Sequence, residues 1–164
     1  MALIVSDSSV LIHLSGINRF DLLKENYQHI ITLPVVKSEV VDQGRNRPGA
    51  IEVKKAIDEG WIKIIEAKNK TLSQILKQNL HEGEAESIAL AIENPDSLLL
   101  IDESEARKTA RLYNLKITGV IGVLIKAKIQ GKISSLKNEL DKLRNSGFWI
   151  SDNVYKKAAN SVGE

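Results

Sequence analysis

Four acidic residues of this chain stand where carboxylates can act on a substrate. Asp7 closes the apolar run of residues 2–5 and is followed by Ser8 and Ser9, and Asp102 closes a second apolar run over residues 97–101. Glu39 projects between Val35 and Val36 on a helical wheel, with Val40 adjacent, so its carboxylate shares the apolar side. Glu84 falls in the first turn of a helix opening at residues 81–82, beside Ile88 and Ala91. Three or four carboxylates with no lysine among them repel one another unless a cation intervenes. Oxygen ligands select hard ions, so Mg²⁺ or Mn²⁺ is expected. Such a site polarises a phosphoryl oxygen and activates water for attack on a phosphodiester.

Each acid also has a plainer reading. Asp7 fits the N-cap of a helix running through Val10, Leu11, Ile12 and Leu14. Glu39 could pack its stem and extend its head to water. Glu84 is favoured in a first turn by the helix dipole alone. Glu86 competes for the third place, although with Glu82 and Glu93 it falls on the flank expected to face solvent. Glu103, Arg107 and Arg111 follow at i+4 spacing and read as a surface ion-pair ladder.

The elements that must position these groups alternate strand and helix. Strands are expected at residues 2–5, 29–33, 61–65, 97–101 and 115–118, with helices after each, which predicts a mostly parallel sheet with helices on both faces. An unbroken apolar run is how a strand covered on both faces reads. The carboxyl ends of such strands form the crevice where open α/β sheets place ligands. Pro34 suits the first position of a helix, residues 43–49 read as an exposed loop with Arg45 and Arg47 available to a phosphate, and residues 69–80 are ambiguous. Gly119 and Gly122 permit close backbone approach at the start of an apolar helix. Phe148 to Ile150 reads as a short edge strand before a closing helix.

At 164 residues the chain is expected to form a single domain, residues 1–164. With no cysteine it lacks disulfides, thiolate metal sites and a thiol nucleophile, which suits a cytoplasmic location. No signal peptide is expected, and no apolar run is long enough to span a bilayer. Residues 1–103 hold 11 Lys and Arg against 16 Asp and Glu, whereas residues 104–164 hold 12 against 5. An acidic site beside a basic surface is what a metal-dependent enzyme acting on a polyanion needs.

Taken in order, residues 5–12, 34–40, 83–91, 99–103 and 118–124 resemble the motifs of the PIN domain family, in particular the prokaryotic group related to the ribonucleases of toxin–antitoxin pairs. The resemblance spans nearly the whole chain. It implies an α/β/α sandwich, divalent-metal endoribonuclease activity on RNA, with single-stranded RNA expected as the partner, frequent homodimers and a small antitoxin partner. By position it implies Asp7, Glu39, Glu84 and Asp102 as the catalytic and metal-binding acids, with Ser9 steadying the first. The third acid is commonly aspartate in that family and is glutamate here.

Two other classes compete. One is a nucleic-acid-binding or regulatory module of this fold without turnover, suggested by the longer third acid. The other is phosphotransfer through Asp7 as nucleophile, which is weakened because position 9 is Ser9 rather than a second carboxylate. A serine hydrolase lacks its Gly-x-Ser-x-Gly elbow here, and His13, His29 and His81 read as structural. Dimerisation is also expected from the apolar helix around Ile121, Leu124 and Ile125.

Overall fold

In the computed structural model, which describes residues 2–164, the elements run β1 (Ile4–Ser6), α1 (Ser8–Gly16), α2 (Asp21–Tyr27), β2 (Ile30–Thr32) and α3 (Pro34–Lys37), the last continuing into a π-helical turn (Ser38–Asp42). They continue with α4 (Ala50–Glu59), β3 (Ile62–Ile64), α5 (Lys70–Leu76), α6 (Glu82–Glu93), β4 (Leu98–Leu100), α7 (Ser104–Leu112), β5 (Lys116–Thr118), α8 (Val120–Ile129), α9 (Leu136–Asn145) and α10 (Asp152–Ser161). The five strands pair in the order β3-β2-β1-β4-β5, every pair parallel. Helices cover both faces, giving the three-layer α/β/α sandwich expected of alternating elements. No helix is long and apolar enough to cross a membrane among the described residues.

The strand order fixes where a ligand can sit. Winding from β1 runs outward to β2 and β3, then returns to β4 and β5, so the switch point lies between β1 and β4. Register places Ser6 opposite Leu100, and the Asp7 amide donates to the Leu100 carbonyl at 3.2 Å. Asp7 and Asp102 therefore leave the two neighbouring strands at the crevice. Val5, Leu99, Leu100 and Ile101 are fully buried beneath them.

The helix α6 packs on β1 and β4, flanked by α3, α5 and α7, while α1, α2 and α8 pack together under α9 and α10. Helix α8 packs against α2, α9, α10 and β5; Leu124 is fully buried, Ile121 and Ile125 are partly buried against the same core, and Ile129 at its end is exposed.

Several local expectations differ. Residues 17–20 form the turn into α2, and the ambiguous stretch contains α5. The turn after α3 is π-helical, which shifts Glu39 from an ideal wheel. Phe148 to Ile150 forms no strand and serves as the connection between α9 and α10. Glu103, Arg107 and Arg111 form no ladder: Glu103 caps α7 by accepting from the Ala106 amide at 2.9 Å, and Arg107 turns inward to donate to the Ile101 carbonyl at 2.8 Å.

Candidate active site

Asp7 is 1% exposed, at the N-cap of α1. Two hydrogen bonds fall on its Oδ1, from the Ser9 amide at 3.1 Å and the Ser9 hydroxyl at 2.7 Å. The same hydroxyl accepts from the Asp102 amide at 3.3 Å, so Ser9 ties the two strand ends together. The capping and site readings of Asp7 are thus one geometry, since the cap fixes Oδ1. Burial pushes the Asp7 carboxyl up to about 7; the Ser9 hydroxyl opposes this, while Asp102 and Glu84 push the same way as burial.

Asp102 is partly buried beyond the end of β4. Burial raises its carboxyl to about 6, against the opposing effects of the Val120 amide, which donates to its Oδ1 at 3.1 Å, and of the Arg107 guanidinium. Arg107 is a cation that the sequence reading placed at the surface. It lowers the Asp102 carboxyl without forming a close ion pair with it. Its own guanidinium is lowered by burial. The close approach allowed by Gly119 serves this carboxylate, because a Cβ there would collide with Asp102 Oδ1 and sit 3.0 Å from Arg107 Nη1. The glycine at 122 meets the Thr118 hydroxyl instead.

Glu84 is 9% exposed on α6. Burial raises its carboxyl, with Glu103 and Glu39 adding repulsion and His81 opposing it. The carboxylate of Glu39 reaches toward α6 from the π-helical turn. A Cβ on Gly83 would stand 3.1 and 3.2 Å from its oxygens, so the glycine before Glu84 leaves the space that the Glu39 head occupies. Glu84 and Glu103 also border a groove of about 390 Å³ with His81 and Lys77. Asp102 and Arg107 border a second cleft, of about 380 Å³, with Gly119 and Trp149.

Glu86 lies on the opposite side of its helix from Glu84 and is paired. Lys77 holds it at 2.9 Å and Glu82 at 3.5 Å, while Glu93 accepts from the Lys68 and Asn69 amides at 2.6 and 2.7 Å. The flank expected to face solvent therefore packs on α5 and the chain before it, and only Glu82 on it is exposed. His29 and His81 are exposed, and His13 packs edge-on against Phe148.

These placements bring Asp102 and Glu84 each into electrostatic range of Asp7, with Glu39 adding repulsion at Glu84. In this side-chain arrangement no three acids converge on a single point among the described residues. The donor set nonetheless fits a hard divalent cation: its side-chain atoms are carboxylate oxygens, the charges are uncompensated apart from Arg107, and Asp7 receives only neutral donors, from Ser9 and the Val10 amide. Arg107 and Gly83 gave no sign of a site role in the sequence, and Gly119 was legible as a point of close approach but not as the space for the Asp102 head.

A family model described as a PIN domain matches residues 3–164. No curated protein matches the chain.

Proposed function

The chain belongs to the PIN-domain family, a nuclease-type fold whose members act on nucleic acids and typically use divalent metal ions, and from that premise we propose that it is a divalent-metal-dependent endoribonuclease hydrolysing RNA phosphodiesters. The observation that carries this reading is Asp7: a fully buried carboxylate at the switch point, pressed by Asp102 and Glu84 and given only neutral donors. A buried carboxylate of this kind is relieved either by a proton or by a cation from outside the chain.

Asp7, Glu39, Glu84 and Asp102 would hold Mg²⁺ or Mn²⁺. When bound, such a cation supplies a Lewis acid for the phosphoryl oxygen and lowers the pKa of a water. Ser9 fixes Asp7 by its hydroxyl and holds the Asp102 backbone in line with it. Gly83 and Gly119 keep room for the Glu39 and Asp102 heads. Arg107, beside Asp102, offers a cationic contact for a phosphate of the strand. The family resemblance further supports a cytoplasmic enzyme of one domain, a toxin restrained by a small antitoxin protein, and homodimer formation.

A non-catalytic module that binds nucleic acid is the second reading. Arg107 favours it, because a built-in cation beside Asp102 reduces the demand for a metal there. Incubating purified protein with labelled single-stranded RNA separates the two. Cleavage with Mn²⁺ or Mg²⁺ that stops on chelation is expected. RNA and metal binding without any cleavage would leave only the module.

A further inference from the structure

The cleft beside Asp102 has a wall that catalysis by carboxylates leaves unused. It is the connection between α9 and α10, and its anchoring is unusual for a loop. The Phe148 amide donates to the Leu143 carbonyl at 3.0 Å, Arg144 Nη2 donates to the Ile150 carbonyl at 2.9 Å, and the Ser151 hydroxyl caps α10 by accepting from the Val154 amide at 3.1 Å. The Phe148 ring meets His13 edge-on with centroids 4.7 Å apart, and Ile150 is buried. Between these fixed neighbours Trp149 is 82% exposed, and it borders the cleft.

Holding an indole in water on an anchored segment runs against the ordinary use of tryptophan, which buries its rings with a polar edge satisfied. The other tryptophan does bury its rings: Trp61 is 7% exposed and packs on Phe20 with centroids 5.5 Å apart. Trp149 shares its cleft with Arg107. That guanidinium spends one N–H on the Ile101 carbonyl and has four more to offer. A flat aromatic face and a cation, both next to Asp102, complement the two halves of a nucleotide: the base by its π-face and the phosphate by its charge. An apolar peptide would use the indole and leave the remaining N–H groups of the guanidinium unused.

We propose that Trp149 is a stacking platform for an unpaired nucleobase adjoining the scissile phosphate, with Arg107 contacting the phosphate of that nucleotide, so that the substrate is single-stranded where it enters the site. This rests on the nuclease reading above. A base inside a duplex has both faces covered by its neighbours and cannot use the platform. Stacking accepts any base, so the contact selects strandedness rather than sequence.

The test uses Trp61→Phe, which leaves Trp149 as the sole tryptophan, titrated at low salt in chelator with a short oligoribonucleotide of mixed, non-pairing sequence. Trp149 fluorescence should be quenched on binding, and a duplex of the same sequence should leave it unquenched. In the otherwise unaltered chain, Trp149→Ala should weaken binding of the single strand about tenfold, with Trp149→Phe recovering most of the loss. Equal melting temperatures would show that the Ala variant keeps its fold. Undiminished affinity in Trp149→Ala, with the indole unquenched, would overturn the platform and leave the nuclease reading standing. Quenching by the duplex as strong as by the single strand would overturn the selection of strandedness. Absence of RNA binding by the unaltered chain would overturn both.

Discussion

Two buried carboxylates of this chain, Asp7 at the switch point and Glu139 on α9, have opposite surroundings. Asp7 receives a hydroxyl and an amide and faces two further acids, so burial wins and its carboxyl rises to about 7. Glu139 is 3% exposed, yet Arg19 Nη2 lies 2.7 Å and Lys142 Nζ 3.3 Å from its Oε1. Burial again raises the pKa, but these cations overcome it and hold the carboxyl below its ordinary value. Burial of an acid therefore does not mark a site. Burial of an acid without its cation points to one, because only a proton or a cation from outside can then neutralise it. Glu139 clasps the α1–α2 turn to α9, although its Oε2 is buried without a hydrogen-bond partner.

The largest effect that can break this contrast is on chemistry. Asp7→Asn keeps the hydrogen-bond acceptor for Ser9 and removes the charge. Metal-dependent cleavage should fall roughly thousandfold, the upper scale for loss of one group that stabilises transition-state charge. The rise in melting temperature on adding Mn²⁺, expected of any ligand that binds only the folded state, should shrink with it. Glu139→Gln should leave both nearly unchanged. Equal metal-induced stabilisation of the parent and Asp7→Asn would remove Asp7 from a metal site.

The same distinction can be sharpened on a single helix. Glu84 has like charges around it, whereas Glu86 has Lys77 at 2.9 Å. Glu84→Gln should slow cleavage about a hundredfold and Glu86→Gln should change it little, since Glu86 has its cation already. Steady-state kinetics on one labelled RNA would rank the two. A requirement for Glu86 with Glu84 dispensable would sink the assignment of the third acid.

How far the sequence reached can be judged from these same residues. The strands after which Asp7 and Asp102 stand were legible, because covered parallel strands leave apolar runs and the acid that ends each run is conspicuous. Right-handed winding fixes the hand of each crossover but leaves the order of the strands open. Glu84 and Glu86 could be assigned to different flanks by spacing. What covered the second flank could not, because α5 reads as a polar, ambiguous stretch and its Lys77 gives no sign of where it docks. Arg107 was misread for a related reason: i+4 spacing along α7 describes the helix surface and says nothing of the Ile101 carbonyl and Asp102 below it. The edge strand expected at residues 148–150 failed because three large apolar side chains in a row suit either a strand or an anchored connection, and hydrogen bonds from outside the segment decide. The exposure of Trp149 has no local signature at all.

The smallest predicted effect, read in thermal stability without metal, tests the contrast most directly because one chemical change should act with two signs. The folded pKa of Asp7 lies above the ordinary 3.8, so its protonated form is favoured by folding. That contribution is complete below about pH 3.8 and is lost as pH rises toward 7. Asp7→Asn should therefore melt a few degrees above the parent at pH 7.5 in chelator, with the difference vanishing near pH 4. The folded pKa of Glu139 lies below its ordinary 4.5, so its contribution is present above that pH and is lost as pH falls through the folded value. Removing its charge leaves Arg19 with a weaker acceptor, a loss of about 1–2 kcal/mol for a charge-assisted bond with one partner partly in solvent. In a chain of this size that amounts to roughly 5 °C. Glu139→Gln should thus melt below the parent at pH 7.5 and approach it only in acid. Scanning calorimetry of the three proteins across pH 4 to 7.5 reads both signs. Parallel curves for the two variants would show that Asp7 has a cation within the chain after all, and with it the physical case for an external metal would fall.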